Sequence, residues 1–265
     1  KAWVDRPIGK MEGVISSRDS MFGDSAFVDL IHIIQLELSK DPTLGLAPAD
    51  ISFAAPLFAD AQIPSSPDGT LYVRDMFNLY VYENFLYTMN LTGQQIKDFL
   101  EYSYQYWFDT MPNEGNHLIA FQRDKDGKLI LDNRTNMPMT ATRYYNYDSA
   151  AGINYVVDVS KPAGERVSIY CMSDGRAFNP KATYTVAINS YRASGGGGHL
   201  EKGAGLDKDT ILSMKLVNGA TTKDLRYFLL KWFEKQEETI TVWPLGNWEV
   251  IPEDLAAIGR ANDYP

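Results

Sequence analysis

A chain of 265 residues with 45% hydrophobic side chains can bury a substantial core, as one large domain or as two small ones. Its formal charge of −9 argues against a general polyanion-binding surface, which needs a dense basic patch, and leaves room only for one or two arginines meeting a small charged ligand. The apolar runs are too short and too interrupted to span a bilayer, and the single cysteine, Cys171, excludes an intrachain disulfide and reads as a buried structural thiol.

The chain begins Lys1-Ala2-Trp3-Val4, without an initiator methionine or a leader pattern, and so reads as a piece of a longer protein. Residues 1–23, punctuated by Pro7, Gly9 and Gly13, read as an extended lead-in segment from a preceding domain, and residues 24–265 as the domain proper. Asp24 or Ser25 is placed to cap a helix in which Phe27, Leu30, Ile31, Ile34 and Leu38 recur at helical spacing until Asp41-Pro42 stops it. His32 within it reads as structural, because no second metal ligand stands at a workable spacing. Residues 51–55 read as a buried strand ended by Pro56, and residues 73–78 as a short helix. Residues 79–91 read as two extended arms bending at Asn84. Thr92 and Gln95 form a capping-box pattern that opens a helix through Ile96, Phe99, Leu100, Ser103 and Trp107.

From Phe108 to Tyr147 the pattern weakens to a hairpin turn at Asp126-Gly127 and a loop over residues 134–142. Strands are predicted over residues 153–159, 166–172 and 184–188. A helix follows from about residue 222, with Leu225, Phe228, Leu229, Trp232 and Phe233 on one face, and residues 247–250 close the chain as a strand. About seven to nine strands with roughly three long helices place the chain in the α+β class.

The run Asn189-Ser190-Tyr191-Arg192-Ala193-Ser194 leads from the strand over 184–188 into Gly195, Gly196, Gly197, Gly198 and His199. Four glycines without a Cβ permit positive φ and close approach of the backbone. No Lys-Ser/Thr follows them, so a triphosphate loop is not indicated. Gly115-Asn116-His117 matches one fragment of a two-metal phosphoesterase signature, but His32, His117 and His199 are the only histidines, too few for such a centre. Ser194 lies in no nucleophile elbow, and no carboxylate pair is singled out for acid/base work. A binding chemistry remains. Tyr82 and Tyr191 are aromatics at strand ends, where two rings facing across a cleft can stack on a base, although in a chain of 16 tyrosines each by itself reads first as packing.

Three groups of residues then carry a resemblance: Asn189-x-Tyr191-Arg192-Ala193-x-Gly195-Gly196-Gly197-Gly198, Asp75-x-x-x-Leu79-Tyr80-x-Tyr82-x-Asn84, and Leu91-Thr92-Gly93. Together they resemble the C-terminal domain of the bacterial 5′-nucleotidase superfamily, and most nearly its branch of 2′,3′-cyclic-nucleotide 2′-phosphodiesterase/3′-nucleotidases. The similarity runs from Ile8-Gly9 and Gly23-Asp24-Ser25 through Ser52-Phe53-Ala54-Ala55-Pro56 to Asn247-Trp248. It implies a layered α/β/β/α domain with mixed sheets, in a two-domain phosphohydrolase of the periplasm or cell envelope. The partner is then an N-terminal metallophosphoesterase domain of the same polypeptide. That domain carries two divalent metal ions such as Zn or Mn, and this chain holds no cofactor.

By the same resemblance the ligand is a nucleotide or nucleoside, not a nucleic-acid polymer. Tyr82 and Tyr191 clamp the base, Asn84 bonds its edge, and Arg192 with the backbone of Gly195, Gly196 and Gly197 shapes the cleft, the glycines letting Tyr191 stand clear of the backbone. Several positions depart from the 5′-nucleotidase pattern. Ala54-Ala55-Pro56-Leu57-Phe58 lacks the Asn-x-Gly-Gly-x-Arg arginine that helps hold a 5′-phosphate, which favours the cyclic-phosphate branch. Glu83 stands where a proline is common and would loosen the bend, and Gly197 replaces an acidic residue on the ribose. Arg18 lies in a region where relatives bring arginine to phosphate, and reads equally as a surface residue. The alternatives are a 5′-nucleotidase or UDP-sugar hydrolase type of domain, and a non-enzymatic nucleoside-binding or adhesion module.

Overall fold

The structure, a computed structural model, describes residues 2–113 and 115–263. Its first half contains β1 (Pro7–Glu12), β2 (Ile15–Ser16), α1 (Ala26–Ser39), β3 (Ile51–Ala54), β4 (Gln62–Ile63), β5 (Thr70–Tyr72), α2 (Val73–Leu79), β6 (Phe85–Thr92) and α3 (Gly93–Gln105). Then come β7 (Ser149–Ala151), β8 (Ile153–Asp158), β9 (Val167–Met172), β10 (Thr183–Asn189), α4 (Ser190–Ala193) and α5 (Lys208–Leu212). The chain closes with β11 (Val217–Asp224), α6 (Leu225–Glu234), β12 (Ile240–Thr241), β13 (Trp248–Ile251) and α7 (Glu253–Asp263). The fold is α+β with several mixed sheets.

The central sheet runs β11-β6-β10-β3-β7, with β10 and β3 parallel and every other neighbour antiparallel. Two smaller mixed sheets, β12-β1-β5 and β13-β8-β9, and the pair β2-β4 flank it. Period-two alternation along β10 separates two cores: Val186 and Ile188 join Phe53, Phe99 and Tyr155 on one face, while Ala187 joins Ile31, Leu86 and Leu229 on the other. Helices α1 and α6 therefore cover one face and α3 the other. The Phe53 and Phe99 rings stack at 4.0 Å between β3 and α3. A one-residue slip of β10 would exchange its two faces, so burial on both sides fixes the register strongly.

Several elements differ from the sequence reading. Residues 7–12 of the lead-in segment are built into this unit, because β1 pairs with both β5 and β12. Residues 79–91 contain one strand, β6, entered from an irregular loop, rather than two arms. Strand β11 was missed because its polar residues alternate weakly at a sheet edge, and it delays α6 to Leu225. Helix α7 was missed altogether. The capping box at α3 is present: Gln95 N donates to Thr92 Oγ1 at 3.2 Å and Thr92 N donates to Gln95 Oε1 at 2.9 Å. Cys171 is half-buried rather than buried. Among the described residues no helix is long and apolar enough to cross a membrane.

Buried polar groups bolt these layers together. His32 on α1 meets Ser52 Oγ on β3 at 2.9 Å and Ser149 Oγ on β7 at 3.0 Å, and burial pushes its pKa down to about 3. Asp29 accepts from Leu245 N at 2.8 Å, and Asp24 accepts from Gly246 N at 2.7 Å, tying the turn before β13 to α1. Burial and the neighbouring Asp24 charge push Asp29 up to about 8. The signs of these groups oppose one another. A histidine held neutral makes the fold less stable as pH falls from its ordinary 6.5 toward 3, whereas a carboxyl held protonated makes it less stable as pH rises from 3.8 toward 8. Asp29→Asn should therefore steepen the loss of unfolding free energy on acidification from pH 6.5 to 4.5 by about 1.4 kcal/mol per pH unit. Denaturant melts of both proteins across that range test this, and parallel pH profiles would show that Asp29 carries no extra proton.

Candidate functional site

Pairing within the central sheet brings one set of loops to one edge. Antiparallel pairing of β6 with β10 sets Leu86 opposite Asn189, so the loop entering β6 and the helix leaving β10 emerge at the same end. Parallel β3 ends there too, and antiparallel β7, with Ser149 opposite Ala54, begins there. Tyr82 precedes β6, Tyr191 follows β10, Leu57 follows β3 and Tyr145 precedes β7. These four, with Asn84 and Asn189, line a pocket of about 230 Å³.

Tyr82 and Tyr191 are 44% and 47% exposed, large rings left open in the free protein. Tyr82 meets Tyr145 edge-on, with centroids 6.2 Å apart and planes at 84°. Burial, then the nearby Tyr145, Tyr144 and Tyr191, raise the Tyr82 hydroxyl above its ordinary value, so the ring stays neutral. Asn84 donates its amide to the Tyr80 hydroxyl at 3.2 Å, which leaves its amide oxygen for a ligand. Asn189 caps α4 by accepting from Arg192 N at 2.9 Å, and its amide nitrogen remains. Phe85 N donates to Ser190 Oγ at 3.0 Å, joining the segment that carries Tyr82 and Asn84 to the one that carries Asn189 and Tyr191.

Two glycines of the run make room for neighbouring side chains. In place of an open loop, the chain makes α4, a 3-10 turn over Gly196–Gly198 and a π turn over His199–Gly203. A Cβ on Gly196 would lie 2.6 Å from Cε2 and Cζ of Tyr191, so the Tyr191 ring rests on this backbone instead of standing clear of it. Gly197, at φ +73°, makes room for the Arg192 guanidinium: a Cβ there would lie 2.0 Å from Nη1. Gly195, at φ +92°, turns the chain out of α4. None of Gly195, Gly196 or Gly197 lines the pocket.

Arg192 is likewise withdrawn from any ligand, being 1% exposed. Its Nε donates to Asp148 Oδ2 at 2.7 Å and its Nη2 to Asp148 Oδ1 at 3.2 Å. Nη1 reaches the Gly196 carbonyl at 2.7 Å and Asn146 Oδ1 at 3.4 Å, and Nη2 the Tyr145 carbonyl at 2.8 Å. All five guanidinium protons are thus spent inside the protein. Arg192 shapes the cleft indirectly, by locking the backbone of Tyr145 to the turn beneath Tyr191. Glu83, which the sequence reading took to loosen the bend, pairs with Arg226 at 3.3 Å. His199, buried beneath this turn, bonds the Asn146 carbonyl at 3.0 Å, and burial with the Arg192 charge pushes its pKa down to about 4.

Sequence reasoning missed three lining residues. Tyr145 lies in the weakly patterned stretch after Phe108, where no periodicity marks it. Leu57 is an ordinary apolar residue after a strand. Asn189 had a legible signal, since an Asn at a strand end two residues before Tyr191 is a natural helix cap.

Comparison with known proteins gives the family and the fold. The family "5′-nucleotidase, C-terminal domain" matches residues 7–202. The trifunctional nucleotide phosphoesterase protein YfkN of Bacillus subtilis is 27% identical over 270 residues, which cover 94% of this chain and 16% of that protein. A 2′,3′-cyclic-nucleotide 2′-phosphodiesterase/3′-nucleotidase of Salmonella typhimurium is 28% identical over 221 residues, covering 74% of this chain and 31% of that protein. This chain thus spans less than a third of either relative. The crystal structure of a 5′-nucleotidase precursor from Thermus thermophilus superposes with a TM-score of 0.64 over 95% of this chain and 41% of its own, a likeness of fold at 19% identity. The family match and the shared fold together make this chain a member of the 5′-nucleotidase C-terminal domain family.

Proposed function

We propose that this chain is the nucleoside-binding part of a nucleotide phosphoesterase, holding a base between Tyr82 and Tyr191 with its edge at Asn84. The observation that carries the reading is the convergence of Tyr82, Tyr191 and Tyr145 on one small pocket, with two of the rings about half exposed. At about 230 Å³ the pocket is below the roughly 300–1,000 Å³ of drug-sized sites, and so suits a flat ring rather than a whole nucleotide. Its lining of Leu57, three tyrosines and two asparagines carries no cation, which favours an uncharged base over a phosphate. Leu57 follows Ala55-Pro56 where a 5′-phosphate arginine is absent, and relatives named for cyclic and 3′-nucleotide hydrolysis support the same preference.

The reading assigns two divalent metal ions to an N-terminal metallophosphoesterase domain of the same polypeptide, and the whole enzyme to the periplasm or cell envelope. Among the described residues no three His, Cys, Asp or Glu side chains come together as metal ligands. The described residues do not fit such a centre, and no step of hydrolysis is assigned to them. The chain's task is orientation: stacking fixes the base so that the phosphoryl group is presented beyond the pocket mouth, replacing a free encounter by a positioned one.

Titration calorimetry with adenosine tests the clamp. Tyr82→Ala and Tyr191→Ala should each weaken binding by about 5- to 150-fold, since a stacked base is worth about 1–3 kcal/mol. Tyr145→Ala should weaken it by only about 2- to 10-fold through the lost edge contact. Unchanged affinity in both of the first two variants would refute the clamp. The chain alone should release no phosphate from a 2′,3′-cyclic nucleotide or a 3′-nucleotide with Mn²⁺ or Zn²⁺ added. Metal-dependent turnover that stays with the purified chain would overturn that assignment.

A further inference from the structure

The loop that carries Tyr82 has no regular structure, yet the first turn of α6 holds it almost residue by residue. Leu225 N donates to the Asn84 carbonyl at 2.7 Å. Arg226 Nη1 donates to the Val81 carbonyl at 2.8 Å and approaches that of Tyr80 at 3.4 Å. Arg226 Nη2 meets Glu83 Oε1 at 3.3 Å. The guanidinium carbon lies 4.3 Å from the centroid of Phe77 on α2, so the group is wedged between a ring and the loop. Of this loop, Tyr82 and Asn84 line the pocket, and Tyr82 is its exposed ring.

The anchor itself is firm. Asp224 ends β11 opposite Phe85 on β6, and its carboxylate caps α6 by accepting from Tyr227 N at 3.0 Å. The sheet therefore fixes the helix turn that fixes the loop. On the opposite wall Arg192 holds the carbonyls of Tyr145 and Gly196 in the same manner.

We propose that Arg226 is a positioning residue for the pocket: it pins the loop over residues 80–84 so that the Tyr82 ring is set before a ligand arrives. This rests on the reading that the pocket takes a base. An exposed loop otherwise has to be ordered on binding, and that ordering subtracts from affinity. The chemistry calls for arginine in particular. A planar fork can reach the Val81 carbonyl with one nitrogen and Glu83 with the other while its face lies on Phe77, which a lysine ammonium cannot do.

Arg226→Met removes every donor while keeping an apolar stem on Phe77, and Arg226→Lys keeps the charge and a point donor without the planar fork. Hydrogen exchange without ligand should quicken over residues 80–85 in Arg226→Met, with β10 and α1 unchanged. Adenosine binding should weaken by about 3- to 10-fold, the cost of ordering the loop. Arg226→Lys should fall between the parent and Arg226→Met in both measurements. The double variant Tyr82→Ala/Arg226→Met should bind no more weakly than Tyr82→Ala, because Arg226 acts through that ring. Unchanged exchange over residues 80–85, exchange quickened throughout the domain, or losses that multiply in the double variant would each overturn the proposal. If the parent chain binds no adenosine, the base reading fails by itself, and the exchange measurement alone decides whether Arg226 pins the loop.

Discussion

Pairing of β6 with β10, Leu86 opposite Asn189, is the constraint on which the site depends. It makes neighbours of two tyrosines far apart in the chain, because each lies just beyond the same end of the paired strands. The register is kept by burial on both faces: Val186 and Ile188 belong to one core and Ala187 to the other. A one-residue slip would turn each set into the wrong core. The position of the pocket is thus a consequence of packing in the middle of the sheet, away from any ligand.

On this frame, polar interactions set the finer geometry. The Arg192–Asp148 pair is fully enclosed, 1% and 2% exposed, and its worth lies in what else the guanidinium holds. Removing one partner of such a pair typically costs about 3–5 kcal/mol, because the other charge is left without compensation. The protein uses that charge to bind two backbone carbonyls, one beneath each of two pocket tyrosines. Gly196 and Gly197 complete the arrangement by giving up the space that the Tyr191 ring and the guanidinium occupy. At these two positions the absence of a Cβ is a packing device.

Much of this was legible in the chain. The helices with strong apolar spacing, α1 and α3, and the strands β3, β8, β9 and β10 stand close to where periodicity places them. The stretch leading to Tyr145 was opaque, since from Phe108 to Tyr147 it is built from isolated bridges and turns whose partners are remote. Strand β11 hid for a related reason: an edge strand with polar residues needs its neighbour β6 to be a strand at all.

The amino-acid sequence by itself determined which residues are aromatic at strand ends and, through its motifs, the family to which the chain belongs. Local spacing and turn chemistry are enough to place the strand ends, because they act over a few residues, and the family follows from the resemblance of the motifs. What only the tertiary structure decided is the role of each residue once brought to the site. Arg192 became internal because Asp148 lies beside it, and Tyr145 became a wall because β7 pairs with β3. Both outcomes depend on contacts between distant segments, whose formation is governed by burial of the whole core rather than by any local pattern.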